Sequence, residues 1–187
     1  MKKAALSMSM IVIVVIFTLA TSSSCKKSSH TTAPTLYDSL GGTEMVSDPA
    51  HAGTMIEKGR LTIRNIIDST IFVIAGDTAI NDHFTTLLSE VGAGNLSGFQ
   101  TLSKNLTDFV AVGTGAKNYT YGGKSMVAAH DPAQNSRMNG KADNSDFNAF
   151  EIDLFAGANK TGIPSSNPAL ISVGKIVESL RSQVVQK

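Results

Sequence analysis

Apolar residues fall at helical intervals through most of the chain, and glycine- and proline-bearing breaks separate the stripes. From Leu61 to Ala75 the apolar positions include Ile63, Ile66, Ile67, Ile71 and Ile74, close to a 3.6-residue period. The segment is rich in β-branched residues, which favour strands, but its length exceeds that of an ordinary strand and predicts a helix. Asp77 to Val91 predicts a second helix, with Ile80, Phe84, Leu87, Leu88 and Val91 on one side, ended by Gly92-Ala93-Gly94. A third runs from about Gly98 to Val112, with Phe99, Leu102, Leu106, Phe109 and Val110 at i, i+3, i+7, i+10 and i+11. Gly115 to Gly123 reads as a loop, and Ser125 to His130 as a short helix.

Ser145 begins a further helix carrying Phe147, Phe150, Ile152, Leu154 and Phe155, broken by Gly162-Ile163-Pro164. Asp146 and Glu151 suit its N-terminal half, where negative charge complements the helix dipole. Ser166-Asn167 then offers an N-cap, with Pro168 at the first helical position. The last helix is predicted over Ala169 to Val185, through Leu170, Val173, Ile176, Val177 and Leu180. The fold class is therefore all-α, with five or six helices.

The N-terminus follows a different pattern. Basic Met1-Lys2-Lys3 precedes an apolar run from Met8 to Ala20, followed by Thr21-Ser22-Ser23-Ser24 and Cys25. That order is the order of a secretory signal peptide. The run is shorter than the roughly 20 residues a spanning helix needs. Cys25 is the sole cysteine, so no intramolecular disulfide forms. A lone cysteine after an apolar run and small residues resembles a bacterial lipobox, here with serine where leucine is commoner. The reading divides the chain into a signal peptide (1–24), a lipidated Cys25 with a polar tether (25–34), and a single domain (35–187). It implies export and a lipid anchor on the periplasmic or outer face of a bacterial membrane. His30 lies in the tether as a solvated residue.

Composition narrows the function classes. The formal net charge is +1, with 16 basic and 15 acidic residues, so no broad basic surface points to nucleic acid. No catalytic triad, zinc-ligand cluster or phosphate loop is legible.

Against this background, a set of landmarks in order resembles the group I truncated haemoglobins from about Leu36 to Val185. Thr35-Leu36-Tyr37-Asp38-Ser39-Leu40-Gly41-Gly42 is similar to the family's opening motif. Val73-Ile74-Ala75-Gly76-Asp77 resembles the end of its second helix. His83-Phe84 falls where the family has its haem-stacking phenylalanine. Tyr121-Gly122-Gly123-Lys124-Ser125-Met126-Val127-Ala128-Ala129-His130 resembles the loop and short helix that end in the iron-binding histidine. Phe147 and Gly162-Ile163-Pro164 resemble features of the closing helices. The resemblance implies a 2-on-2 helical sandwich holding haem b, with His130 on the iron and Phe84, Tyr121, Met126 and Phe147 around the macrocycle. Globin iron is held by one neutral imidazole, whose other nitrogen needs an orienting partner.

The chain departs from that family on the ligand side. The distal tyrosine position, counted back from Val73-Ile74, falls on Thr70, with Ser69 and Phe72 next if the register slips. No tyrosine lies between Leu61 and Gly76. The distal glutamine position falls on Asn105, and Thr101 sits one turn earlier. The resemblance implies that Lys104, next to Asn105, pairs with a haem propionate. Ser47 to Arg60 has no counterpart in the compact family pattern and reads as an extended loop or a rebuilt first helix.

The expected function is binding of oxygen or another diatomic gas, such as nitric oxide, at a haem iron. Turnover of nitric oxide or peroxide would require an electron donor, and none is legible. The alternatives are a globin-like interaction module that has lost its haem, and an unrelated helical lipoprotein that binds an apolar ligand or an envelope partner.

Overall fold

A computed structural model of the chain describes residues 33–187. The expected signal peptide, Cys25, His30 and most of the expected tether lie outside the described residues. Those described form eight helices, one two-stranded hairpin and a 3-10 turn. None of these helices is long and apolar enough to cross a membrane.

Helix α1 (Leu36–Ser39) is a single turn, set by a capping box. The Thr35 hydroxyl accepts from the Asp38 amide at 3.1 Å, and the Asp38 carboxylate accepts from the Thr35 amide at 2.7 Å. The Tyr37 amide donates to the Thr114 carbonyl at 2.8 Å, which pins α1 to the end of α4 (Ser97–Gly113). The Leu-Gly-Gly motif then turns the chain tightly. Gly41 has φ +122°, and a Cβ there would lie 2.7 Å from Lys58 Cγ and 3.0 Å from the Gly59 amide. Only glycine combines that conformation with so close an approach.

Half of the stretch from Ser47 to Arg60 is the loop expected there (48–54), and that loop joins the two strands of a hairpin. Strands β1 (Met45–Ser47) and β2 (Met55–Glu57) pair antiparallel, Val46 opposite Ile56. Asp48 ties the hairpin to the helix that follows: Arg64 donates to both of its carboxylate oxygens, at 3.1 and 2.6 Å. That guanidinium holds the Asp48 carboxyl well below the usual range. His51, mostly exposed, bonds the same carboxylate. The rest of the segment, Lys58 to Arg60, is the first turn of α2 (Lys58–Gly76).

Helix α2 is the spine. Its isoleucine stripe is buried, so the β-branched composition yields to tertiary packing. It packs most extensively against α6 (Asn144–Lys160) and next against α4. The α2–α6 crossing is close because α6 offers Gly157 at the contact. A Cβ there would lie 2.7 Å from the Thr70 amide nitrogen and 2.8 Å from Thr70 Cα.

Two predicted helices are broken. The stretch from Asp77 is not helical at its start, because the Asp77 carboxylate accepts the Ala79 amide at 2.9 Å and turns the chain. A 3-10 turn (Asn81–Phe84) and α3 (Thr85–Gly92) follow. The last helix divides into α7 (Pro168–Glu178) and α8 (Arg181–Val184). Its N-cap is the expected Asn167, which accepts the Ala169 and Leu170 amides. The break falls where Arg181 is drawn aside to Glu151 and Glu178, over the Phe147 ring at 4.3 Å. The short α5 (Met126–His130) begins at Ser125, whose hydroxyl accepts the Ala128 amide. Asp143 caps α6 with a second capping box.

Candidate functional site

A cavity opens between α2, α4, α5 and the α6–α8 layer. Its wall is almost wholly apolar. Helix α2 contributes Ile63, Ile67, Ile71 and Ile74; α4 contributes Leu102, Leu106, Phe109 and Val110; α6 contributes Phe147, Phe150 and Leu154. Val173, Ile176, Val177 and Leu180 close one side, and Phe84, Met126 and Met138 another. About 190 Å³ is open to the centre of a water-sized sphere. One buried water needs only about 10–15 Å³ on that measure. Close-packed interiors hold few voids larger than a water molecule, so an apolar space of this size fits a bound apolar group.

Four polar side chains reach the wall: His83, Thr114, His130 and Asp146. The Thr114 hydroxyl donates to the Val110 and Ala111 carbonyls at 2.8 and 3.0 Å. His83 Nδ1 donates to the Asn139 carbonyl at 2.7 Å, and its Nε2 lies 3.1 Å from Asp146 Oδ2. Asp146 also accepts the Asp143 amide at 2.8 Å.

His130 differs from these. It ends α5, and its Nδ1 lies 2.8 Å from the Met126 carbonyl one turn back. A carbonyl only accepts, so Nδ1 carries the proton and Nε2 keeps its lone pair. Nε2 has no hydrogen-bond partner among the described residues. Burial pushes the imidazole below its ordinary pKa, against a smaller opposing effect of the Met126 bond, and nearby His83 adds to the lowering. The ring is therefore neutral at pH 7, the form that binds a metal ion. No cluster of three or more His, Cys, Asp or Glu side chains suits a bare metal ion among the described residues. A single imidazole facing an apolar cavity instead suits a metal that brings its own equatorial ligands.

The structure brings together Phe84, Met126, His130 and Phe147 on one cavity wall system. It places the other expected site residues elsewhere. Thr70 is buried against Gly157 of α6, and its hydroxyl donates to the Ile66 carbonyl at 2.8 Å. The next residue, Ile71, lines the cavity in its place. Phe72 is 64% exposed and packs on Phe99, and Ser69 does not line the cavity either. Thr101 is exposed, its hydroxyl bonded to the Ser97 carbonyl. Asn105 is partly buried but not part of the wall. The exposed Lys104 bonds Asp108, which also pairs with Arg60. Tyr121 backs the wall, its ring edge-on to Phe109 at 5.3 Å and its hydroxyl on the Lys124 carbonyl.

Some of the site escaped the sequence. His83 and Asp146 form a pair across 63 positions that no local pattern announces. Met138 lies in a loop without periodicity. By contrast, Phe150, Ile176 and Leu180 lie on stripes already visible as helical.

No protein-family model matches the chain, and no curated protein matches it. Among solved structures it is similar to the truncated haemoglobin of Tetrahymena pyriformis, in a tyrosine-to-phenylalanine variant and Fe(III) form. The identity is 19%, the match covers 82% of this chain and 100% of that one, and the TM-score is 0.56. The described residues thus have an all-α truncated-globin fold, with the short β1–β2 hairpin preceding α2.

Proposed function

We propose that this domain binds haem b in the α2–α4–α6 cavity, with His130 Nε2 on the iron, and takes up a diatomic gas there. One observation carries the reading. His130 is neutral, fixed by the Met126 carbonyl, and leaves a free lone pair at the wall of a large apolar cavity. Haem supplies an iron centre able to bind small gases, and globins hold it through one proximal histidine. The chain's own residues supply the rest. Phe84, Met126 and Phe147 offer apolar faces to a flat macrocycle, and the isoleucine stripe of α2 excludes water. The order of landmarks in the sequence resembles that of the group I proteins, and the proposed assignment follows that resemblance.

We also propose that the domain is exported and held to a membrane through lipid on Cys25, with residues 1–24 removed and 25–34 as tether. The sequence pattern alone supports this part.

Titrating the chain with haem tests the first part. Saturation at one haem per chain with a sharp Soret band supports it; a broad band without saturation overturns it. Growth with a radiolabelled fatty acid tests the second. Label on the wild type but not on Cys25→Ser supports the anchor, and no label on either overturns it.

A further inference from the structure

A ligand that gains negative charge on binding a ferrous centre is retained by a hydrogen-bond donor beside it, whereas a ligand that stays nearly neutral needs none. Dioxygen belongs to the first kind, and carbon monoxide and nitric oxide to the second. The distal donor therefore decides between them.

Among the described residues, the side chains lining this cavity leave no donor to spare. Thr114 spends its hydrogen on the carbonyls of its own helix. His83 has an acceptor at each ring nitrogen, Asn139 O and Asp146 Oδ2. His130 donates to Met126. The side chains expected to supply a donor, Thr70, Thr101 and Asn105, do not line the cavity. The register of α2 is set by the Thr70–Gly157 contact, which turns Thr70 onto α6 and presents Ile67, Ile71 and Ile74 to the cavity. On α4, Leu102 and Leu106 face the same space.

We propose that the site selects nearly neutral diatomic gases, carbon monoxide and nitric oxide, and discriminates against dioxygen. The inference rests on the haem reading above. It assigns to Ile71 and Leu106 the specificity-determining positions, because a donor introduced there would reach the cavity while one at Thr70 would not.

The test uses the full chain in mild detergent, loaded with haem and reduced. The C–O stretch of its carbon monoxide complex reports the local field without any turnover. The proposal expects the high frequency of a donor-free site, and fast dioxygen release. Leu106→Gln, close in volume, should slow dioxygen release by roughly ten-fold or more, since a hydrogen bond to a charged group is stronger than one between neutral groups. It should leave carbon monoxide release within about two-fold. Ile71→Gln is the second variant, should Leu106→Gln not fold. A low C–O frequency with slow dioxygen release in the wild type would overturn the proposal, and its loss in His83→Leu would show that His83 turns inward as a donor. A chain with no Soret band fails at the haem reading itself, before any ligand is added.

Discussion

Replacing Gly157 by alanine tests the contact that sets which face of α2 meets the cavity. A Cβ at this position would lie 2.7 Å from the Thr70 amide nitrogen and 2.8 Å from its Cα, with the Thr70 hydroxyl closer still. Ordinary contacts are about 3.5–4.0 Å, so the two helices must part by about 1 Å. The obstructing atoms are helix backbone and cannot swing away. Overpacking of this kind costs about 1–3 kcal/mol. Alanine's better helix propensity offsets up to about 1 kcal/mol. The expected net loss is about 1–2 kcal/mol, a fall in Tm of roughly 2–8 °C for a domain of this size. Gly76→Ala, near the end of α2 with nothing within 4 Å of its new Cβ, is the control and should be neutral or slightly stabilising. Urea melts of the haem-free proteins measure both. If Gly157→Ala is as stable as the control, the crossing is not tight and does not set the α2 face that presents Ile71 to the cavity.

Two further predictions follow from buried titratable groups. The His130 imidazole titrates below its ordinary pKa, so the unfolded chain binds the proton more readily than the folded one. Stability of the haem-free domain should therefore rise with pH between the depressed folded value and about 6.5, and His130→Phe should flatten melts across that window. Asp153 is buried, one of its carboxylate oxygens has no partner, and burial together with nearby Asp77 raises its pKa. Stability should then fall as pH rises from about 4 through that raised value. Asp153→Asn should gain about 1 kcal/mol at pH 7, and an equal or lower melting point would contradict it.

The helical stripes are legible because the burial that fixes them recurs every three or four residues. The spacing of Ile63, Ile67, Ile71 and Ile74 marks the face of α2 that lines the cavity. Counting from the Val73-Ile74 landmark puts the ligand-facing position on Thr70 instead. The stripe and the count differ by one residue, and one residue turns a helix by about 100°. Phe84, Met126, His130 and Phe147, the residues named from the motif order, all line the cavity. The hairpin is not legible. Strands β1 and β2 are three residues each, too short for alternation to register. What holds them is the Arg64–Asp48 pair and the buried Glu57, which accepts from Tyr37 and Asn118. Contacts over 16, 20 and 61 positions leave no periodic trace.

Haem attachment as proposed depends on one nitrogen, His130 Nε2. Its most direct measurement is the absorption spectrum of haem-loaded His130→Gly, with and without added imidazole. If Nε2 holds the iron, the variant loses the histidine-ligated signature of the wild type and regains it when free imidazole enters the vacated space. A His130→Gly spectrum identical to the wild type, unaffected by imidazole, would contradict it.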